Sequence, residues 1–192
     1  AAVTKIRKYS LDLYKRLEKE VDHSAGLRIN GALSIAQTDA RLQELKRQAT
    51  TAKLYDVDVK ILDKDQIKRD YSMMYVEDLK GGILMPGDGA ADPSGVTHML
   101  AKGVRQGGAK IFEQSPVEKI LTKNGRVSGV RLNSQDIECE YVVLATGMWS
   151  RQIGENIGVS IPLYPAEHFY VITEPIKNLS PKLPVIRDFD SS

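Results

Sequence analysis

The feature that most constrains this chain is a block near its middle, from Val117 to Gly147. Two apolar-alternating segments, Val117–Lys123 and Arg126–Leu132, flank the dipeptide Asn124-Gly125. Asn-Gly accepts the two positive φ angles of a type I′ turn at little cost, so this spacing predicts a tight antiparallel hairpin. A polar turn at 133–135 leads to a third strand over 137–145. The last five residues of that strand, Tyr141-Val142-Val143-Leu144-Ala145, are apolar without interruption. Such a run suits a strand buried on both faces, as in a parallel sheet. It ends at Thr146-Gly147, and a short helix is expected over 149–157. In open α/β sheets ligands bind beyond the carboxyl ends of strands, and a glycine there lets backbone approach a phosphate or sugar. A plain strand-to-helix turn, with Gly147 as a cap, fits the same spacing.

The remaining segments alternate between helical and extended patterns. Ile6, Tyr9, Leu13, Leu17 and Val21 recur at helical spacing over 1–21, opposite a charged face. Alternation over 27–36 predicts a strand, 39–55 a helix and 57–62 a short strand. Asp63 and Gln66 open a helix to about Asp70, and 81–86 reads as a strand entering Gly87-Asp88-Gly89. Asp92 followed by Pro93 is an N-cap with proline at the first helical position, and Gly107-Gly108 stops that helix. Strands are expected at 110–113, at 167–173 and in the segment 184–188. The fold class is therefore α/β with mixed α+β character.

Composition excludes several functions. The chain has 192 residues, 42% of them hydrophobic and 27% charged, the balance of a soluble globular protein. Lys and Arg number 27 against 25 Asp and Glu, so no net field steers nucleic acid or an anionic membrane. No apolar run approaches the ~20 residues of a membrane span. Cys139 is the single cysteine, which leaves no intrachain disulfide and no cysteine-based zinc site. His23, His98 and His168 have no ligand spacing, so no metal site is expected. The Walker, G-x-S-x-G and H-E-x-x-H patterns are absent, and Gly87-Asp88-Gly89 lacks the third glycine of a dinucleotide fingerprint. Ala1 is not preceded by Met and Ser192 follows no cap, so the chain is expected to be an internal piece of a longer protein.

Several motifs in sequence carry a resemblance. Val117-Glu118-Lys119-Ile120, then Asn124-Gly125-Arg126-Val127, then Val142-Val143-Leu144-Ala145-Thr146-Gly147-Met148-Trp149-Ser150 resembles flavin-dependent amine oxidoreductases of the D-amino-acid-oxidase superfamily. Pro86-Gly87-Asp88-Gly89 with Asp92-Pro93 and Gly107-Gly108-Ala109 is similar to the dimethylglycine and sarcosine dehydrogenase branch. So is Glu167-His168-Phe169-Tyr170-Val171-Ile172-Thr173-Glu174 with Leu183-Pro184-Val185-Ile186-Arg187-Asp188.

The resemblance implies part of an FAD-binding parallel-sheet domain, at 90–158, and part of a mixed or antiparallel substrate domain, at 1–89 and 159–192. It implies FAD as cofactor and an N-methylated amino acid of the dimethylglycine or sarcosine type as substrate. It implies that Val117 meets the adenine edge through its backbone, and that Ala145, Thr146 and Gly147 pass the ribityl–pyrophosphate region. Trp149 either packs on the cofactor or wedges its helix against the sheet. His168 and Tyr170, two apart on a strand, share a face that in this family borders the cavity over the flavin; facing solvent is the other reading. Arg187 is expected to pair with Asp188 or Asp190, or with a substrate carboxylate. In the longer protein, folate or an electron-transfer protein is a possible partner. The branch also resembles a non-catalytic regulatory subunit of a phosphatase, which is the alternative to an enzyme. Localisation is read as cytoplasmic, with the mitochondrial matrix left open because a targeting peptide would precede Ala1.

Overall fold

A computed structural model describes residues 2–191 of the chain. Its elements run α1 (Ala2–Glu20), β1 (Ala32–Ala36), α2 (Asp39–Ala52), β2 (Lys60–Leu62), α3 (Lys64–Asp70), β3 (Gly81–Met85), α4 (Pro93–Gln106), β4 (Val117–Lys123), β5 (Arg126–Leu132), β6 (Gln135–Glu138), α5 (Ser150–Glu155) and β7 (Val185–Asp188). They form two compact units, one of 1–110 and 177–192, the other of 111–176. The mixed α/β class holds, with parallel and antiparallel pairing in one sheet and antiparallel pairing alone in the other.

The first unit is built on the sheet β2-β3-β1-β7. Strand β1 pairs antiparallel with β3, Ser34 opposite Ile83, and parallel with β7, Ser34 opposite Arg187. Alternation along β1 sends successive side chains to opposite faces. Leu33 and Ile35 join Leu62, Ile67, Val76 and Leu79 in one buried cluster. Ala36, with Ile83 of β3, joins Leu45 and Ala49 of α2 in another. A third cluster brings Met99 of α4 against Val21 and Ala25, with Tyr14 and Leu17 of α1 alongside.

Local chemistry fixes where these helices begin. Thr38 accepts the Arg41 N–H at 3.1 Å and starts α2. Asp63 accepts the Gln66 N–H at 2.7 Å while the Gln66 side chain accepts the Asp63 N–H at 2.9 Å, a reciprocal box that starts α3. Asp92 accepts from Ser94 and Gly95 at 3.2 and 2.9 Å, with Pro93 in the first turn of α4.

The second unit contains the three-stranded sheet β4-β5-β6. Asn124 and Gly125 have φ of +53° and +73°, as the type I′ reading requires. Ile120, Val130 and Ile137 stand in cross-strand register, and Ile120 is buried.

Four expectations are corrected. The strand over 27–36 shrinks to Ala32–Ala36, preceded by one bridge between Arg28 and Ala90. The segment 110–113 forms no strand, and the third strand of the excursion stops at Glu138. The apolar run 141–145 is extended but unpaired, and Tyr141 and Val143 are 85% and 87% exposed. The residues 167–173 form no strand either. Both apolar segments have the composition of strands, yet a strand needs neighbours to take its backbone hydrogen bonds. No described residue pairs with either segment. No helix among the described residues is long and apolar enough to cross a membrane.

Candidate functional site

Beyond the apolar run the backbone turns at Thr146-Gly147. Gly147 adopts φ +53° and opens a single 3-10 turn, Gly147–Trp149, that runs directly into α5. The turn closes on itself: the Trp149 N–H donates to the Thr146 carbonyl at 3.1 Å, and the Ser150 N–H donates to the Gly147 carbonyl. The hydroxyls of Thr146 and Ser150 lie 2.8 Å apart. Ser150 is only 7% exposed.

A Cβ placed on Gly147 would meet nothing within 4 Å. The left-handed backbone there faces open space with no side chain in the way. Pro116 and Val117, at the start of β4, come to the same place. Together with Ala145, Thr146, Gly147, Trp149, Gln152 and Ile153 they line an open concavity of about 700 Å³. All five residues expected at a cofactor are therefore among the residues lining one feature of the second unit. Trp149 remains 61% exposed, leaving a broad aromatic surface available.

The lining contains no ionisable side chain. It offers backbone, one hydroxyl, one amide, the indole N–H of Trp149 and apolar surface. That donor set suits a nucleotide or sugar-like group held through backbone and hydroxyl contacts, and it offers no carboxylate, imidazole or thiolate to a metal ion. No group of three or more His, Cys, Asp or Glu capable of holding a metal occurs among the described residues. The residues present thus fit part of a dinucleotide such as FAD.

Pro116, Gln152 and Ile153 were not singled out from the sequence. Positions 149, 152 and 153 are related as i, i+3 and i+4, so the helical spacing that follows Trp149 carries a signal for them.

His168 and Tyr170 are not among the residues lining this concavity. They lie in the extended segment after Pro165, outside any ladder, and Tyr170 is 81% exposed. Arg187 pairs neither with Asp188 nor with Asp190. Its guanidinium donates to Asp88 at 3.2 Å, while Asp190 pairs with Arg41 at 3.0 Å. Strand β7 keeps Arg187 from Asp188, because successive residues 187 and 188 point to opposite faces. The loop holding Asp88 is a packing junction. A Cβ on Gly89 would fall 1.8 Å from the Arg28 carbonyl oxygen, so only glycine permits the Arg28–Ala90 bridge.

This architecture is that of amine and amino-acid oxidoreductases. The L-proline dehydrogenase of P.horikoshii superposes with a TM-score of 0.86 at 28% identity, covering 95% of this chain and 48% of that one. The chain belongs to the DAO family, described as FAD dependent oxidoreductase, which matches residues 1–192. Among curated relatives, 4-methylaminobutanoate oxidase (formaldehyde-forming) of Paenarthrobacter nicotinovorans is 35% identical over 99% of this chain and 23% of its own length. Dimethylglycine dehydrogenase, mitochondrial, of Mus musculus is 32% identical over 98% of this chain and 22% of its own. Pyruvate dehydrogenase phosphatase regulatory subunit, mitochondrial, of Mus musculus is 33% identical over 97% and 22%. The chain spans less than a quarter of the length of these curated relatives.

Proposed function

We propose that this chain is part of an FAD-dependent oxidoreductase that oxidises an N-methylated amino acid of the dimethylglycine or sarcosine type. The observation that carries the reading is the convergence of Val117, Ala145, Thr146, Gly147 and Trp149 on one uncharged concavity. Relatives named for methylamino and dimethylamino acids support the choice of substrate class. In this reading 90–158 serves the cofactor, and 1–89 with 159–192 serves the substrate.

Bound FAD would supply the acceptor for a hydride leaving a carbon next to the substrate nitrogen. The chain's own part is binding and orientation. Val117 offers backbone N–H and C=O to the adenine edge. The turn Ala145-Thr146-Gly147 offers backbone and one hydroxyl where the ribityl–pyrophosphate passes, and Trp149 supplies an apolar face. His168 and Tyr170 hydrogen-bond the substrate's amine or carboxylate through a ring nitrogen and a phenol, or hold the amine neutral, the form whose lone pair can assist hydride loss. The one-carbon unit leaves by hydrolysis of the iminium or passes to a folate, and the electrons pass to oxygen or to an electron-transfer protein. The compartment that fits is the cytoplasm or the mitochondrial matrix.

The test is the visible spectrum of the full-length protein, before and after anaerobic addition of dimethylglycine and sarcosine. A band near ~450 nm that bleaches with either amine is the expected result for a flavin reduced by substrate. Replacing His168 by Asn should then lower the rate of bleaching without lowering flavin content. A band that no amine bleaches would favour the regulatory reading, which the 33% identical phosphatase subunit supports. No band, even after adding FAD, would end the enzyme reading.

A further inference from the structure

Ser150 carries no role in the cofactor reading, yet among the described residues it and Ser34 are the two buried polar residues. Among the described residues its only side-chain partner is Thr146, at 2.8 Å. Each of the two hydroxyls has one hydrogen, and only one of them can lie between the oxygens. If Thr146 donated, the Ser150 hydrogen would be left buried with no acceptor, which is the costly arrangement. If Ser150 donates, its hydrogen is satisfied and the Thr146 hydrogen is freed. Thr146 is half-buried and lines the concavity, so a hydrogen directed away from Ser150 can meet an acceptor there. Accepting a hydrogen bond also polarises the Thr146 O–H and makes it a better donor.

We propose that Ser150 is a positioning residue that fixes the Thr146 hydroxyl as a hydrogen-bond donor toward an oxygen of the bound cofactor, either a phosphate or a ribityl oxygen. The inference rests on the cofactor site proposed above. It assigns direction to a two-hydroxyl relay: Ser150 O–H to Thr146 O, and Thr146 O–H to the ligand oxygen. No bond is made or broken. Ser150 never touches the ligand and acts only through Thr146.

The test is a double-mutant cycle in the full-length protein, with FAD as the probe. The apoprotein is titrated with FAD, and the dissociation constant and the visible spectrum of the bound flavin are recorded. The four forms are the parent, Ser150→Ala, Thr146→Val and the double variant. Thr146→Val should weaken FAD about tenfold, the size of one hydrogen bond to a charged acceptor. Ser150→Ala should weaken it by about threefold or more, because Thr146 then spends time in unproductive rotamers. The double variant should bind FAD no more weakly than Thr146→Val alone. Thr146→Ser, which keeps the hydroxyl, should restore binding and the parent spectrum. Should Ser150→Ala fold poorly, Ser150→Cys keeps the volume with a weaker donor and should fall between parent and Ala.

The inference is overturned if the Ser150 effect persists in full on the Thr146→Val background, since a Ser150 that merely packs acts regardless of Thr146. It is also overturned if Ser150→Ala leaves FAD affinity and spectrum unchanged while Thr146→Val and Gly147→Val weaken binding; the cofactor site itself then stands. If Thr146→Val and Gly147→Val both leave FAD binding unchanged, the cofactor site is wrong and the inference falls with it.

Discussion

In the unit of 1–110 and 177–192 the large apolar side chains are inside: Leu33, Leu45, Ile67, Ile83 and Met99 are fully buried. In the unit of 111–176, Ile120 is the one hydrophobic side chain buried among the described residues, while Val143, Phe169 and Ile172 stand in the open. Average composition does not separate the two. What separates them is whether the partner that each apolar pattern requires lies among the described residues. Strand β1 has a strand on each side, α2 on one face and the α3 region on the other. The run 141–145 has no paired neighbour, and only its Val142 and Leu144 face is part-covered, although its sequence asks for cover on both faces. The better-packed unit holds the scaffold, and the more open unit holds the concavity with the functional reading.

The contrast can be broken most forcefully in the first unit. Ile67 is completely buried against Leu33, Ile35 and Val76. Ile67→Ala removes three carbons and leaves a cavity between α3 and the sheet, so it should cost about 2–5 kcal/mol of unfolding free energy in denaturant titration. A loss well below that would mean the cluster collapses around the gap and is looser than its burial indicates.

The next effect belongs to the second unit and is conformational rather than hydrophobic. Gly147 sits at φ +53° with open space around its missing Cβ. Valine would fit the space but not the backbone, since a β-branched residue is strained in the left-handed region by about 1–3 kcal/mol. Gly147→Val should therefore lower stability by that amount and weaken FAD binding. Gly147→Asn, which tolerates the conformation, should recover most of the stability. Equal losses of FAD binding for Val and Asn, with stability recovered in Asn, would locate the requirement in ligand approach instead of backbone strain.

Legibility followed the same division. Signals that act within a few residues were readable: Asp92 with Pro93, Asp63 with Gln66, and Asn124-Gly125 each appear where local hydrogen bonding and φ preferences put them. Of the residues lining the concavity, the Ala145-Thr146-Gly147 turn stood out as a strand end with a glycine, Val117 and Trp149 came only through the family resemblance, and Pro116, Gln152 and Ile153 were missed. What failed depends on partners far away in sequence. Composition told that 141–145 and 167–173 could be strands, but pairing decides whether they are. Arg187 went to Asp88, 99 residues away, a contact no local spacing encodes.

Smaller again is a pH effect in the first unit. The Asp190 carboxylate accepts the Gln37 N–H at 2.9 Å and the Arg41 guanidinium at 3.0 Å. The backbone bond first, and Arg41 second, hold its pKa below the usual carboxylate range. A folded-state pKa that is depressed stabilises the fold at neutral pH and loses that contribution as pH falls through the ordinary carboxylate range toward the folded value. Melting temperature should thus fall on acidification below about pH 4. Asp190→Asn should flatten part of that slope, because Asn does not titrate there. An unchanged slope in the variant would assign the acid sensitivity to other depressed carboxylates, such as Asp188, whose main stabilising contact is the Ser191 hydroxyl.

The smallest effect bears most directly on the contrast. Val143 is 87% exposed in this chain, so its side chain gains almost nothing from folding. Val143→Ser should leave the stability of the 192-residue chain within about 0.5 kcal/mol, the usual range for a surface substitution. The same change in the full-length protein provides the other half of the comparison. If the apolar run is covered there, as a strand of its composition requires, Val143→Ser should cost about 1–3 kcal/mol. A difference between the two measurements would show that the openness of this unit reflects the lack of a partner, with the sequence already written for one. Equal and negligible effects would mean that 141–145 is a solvent-facing segment whose apolar composition serves the adjoining Thr146-Gly147 turn alone.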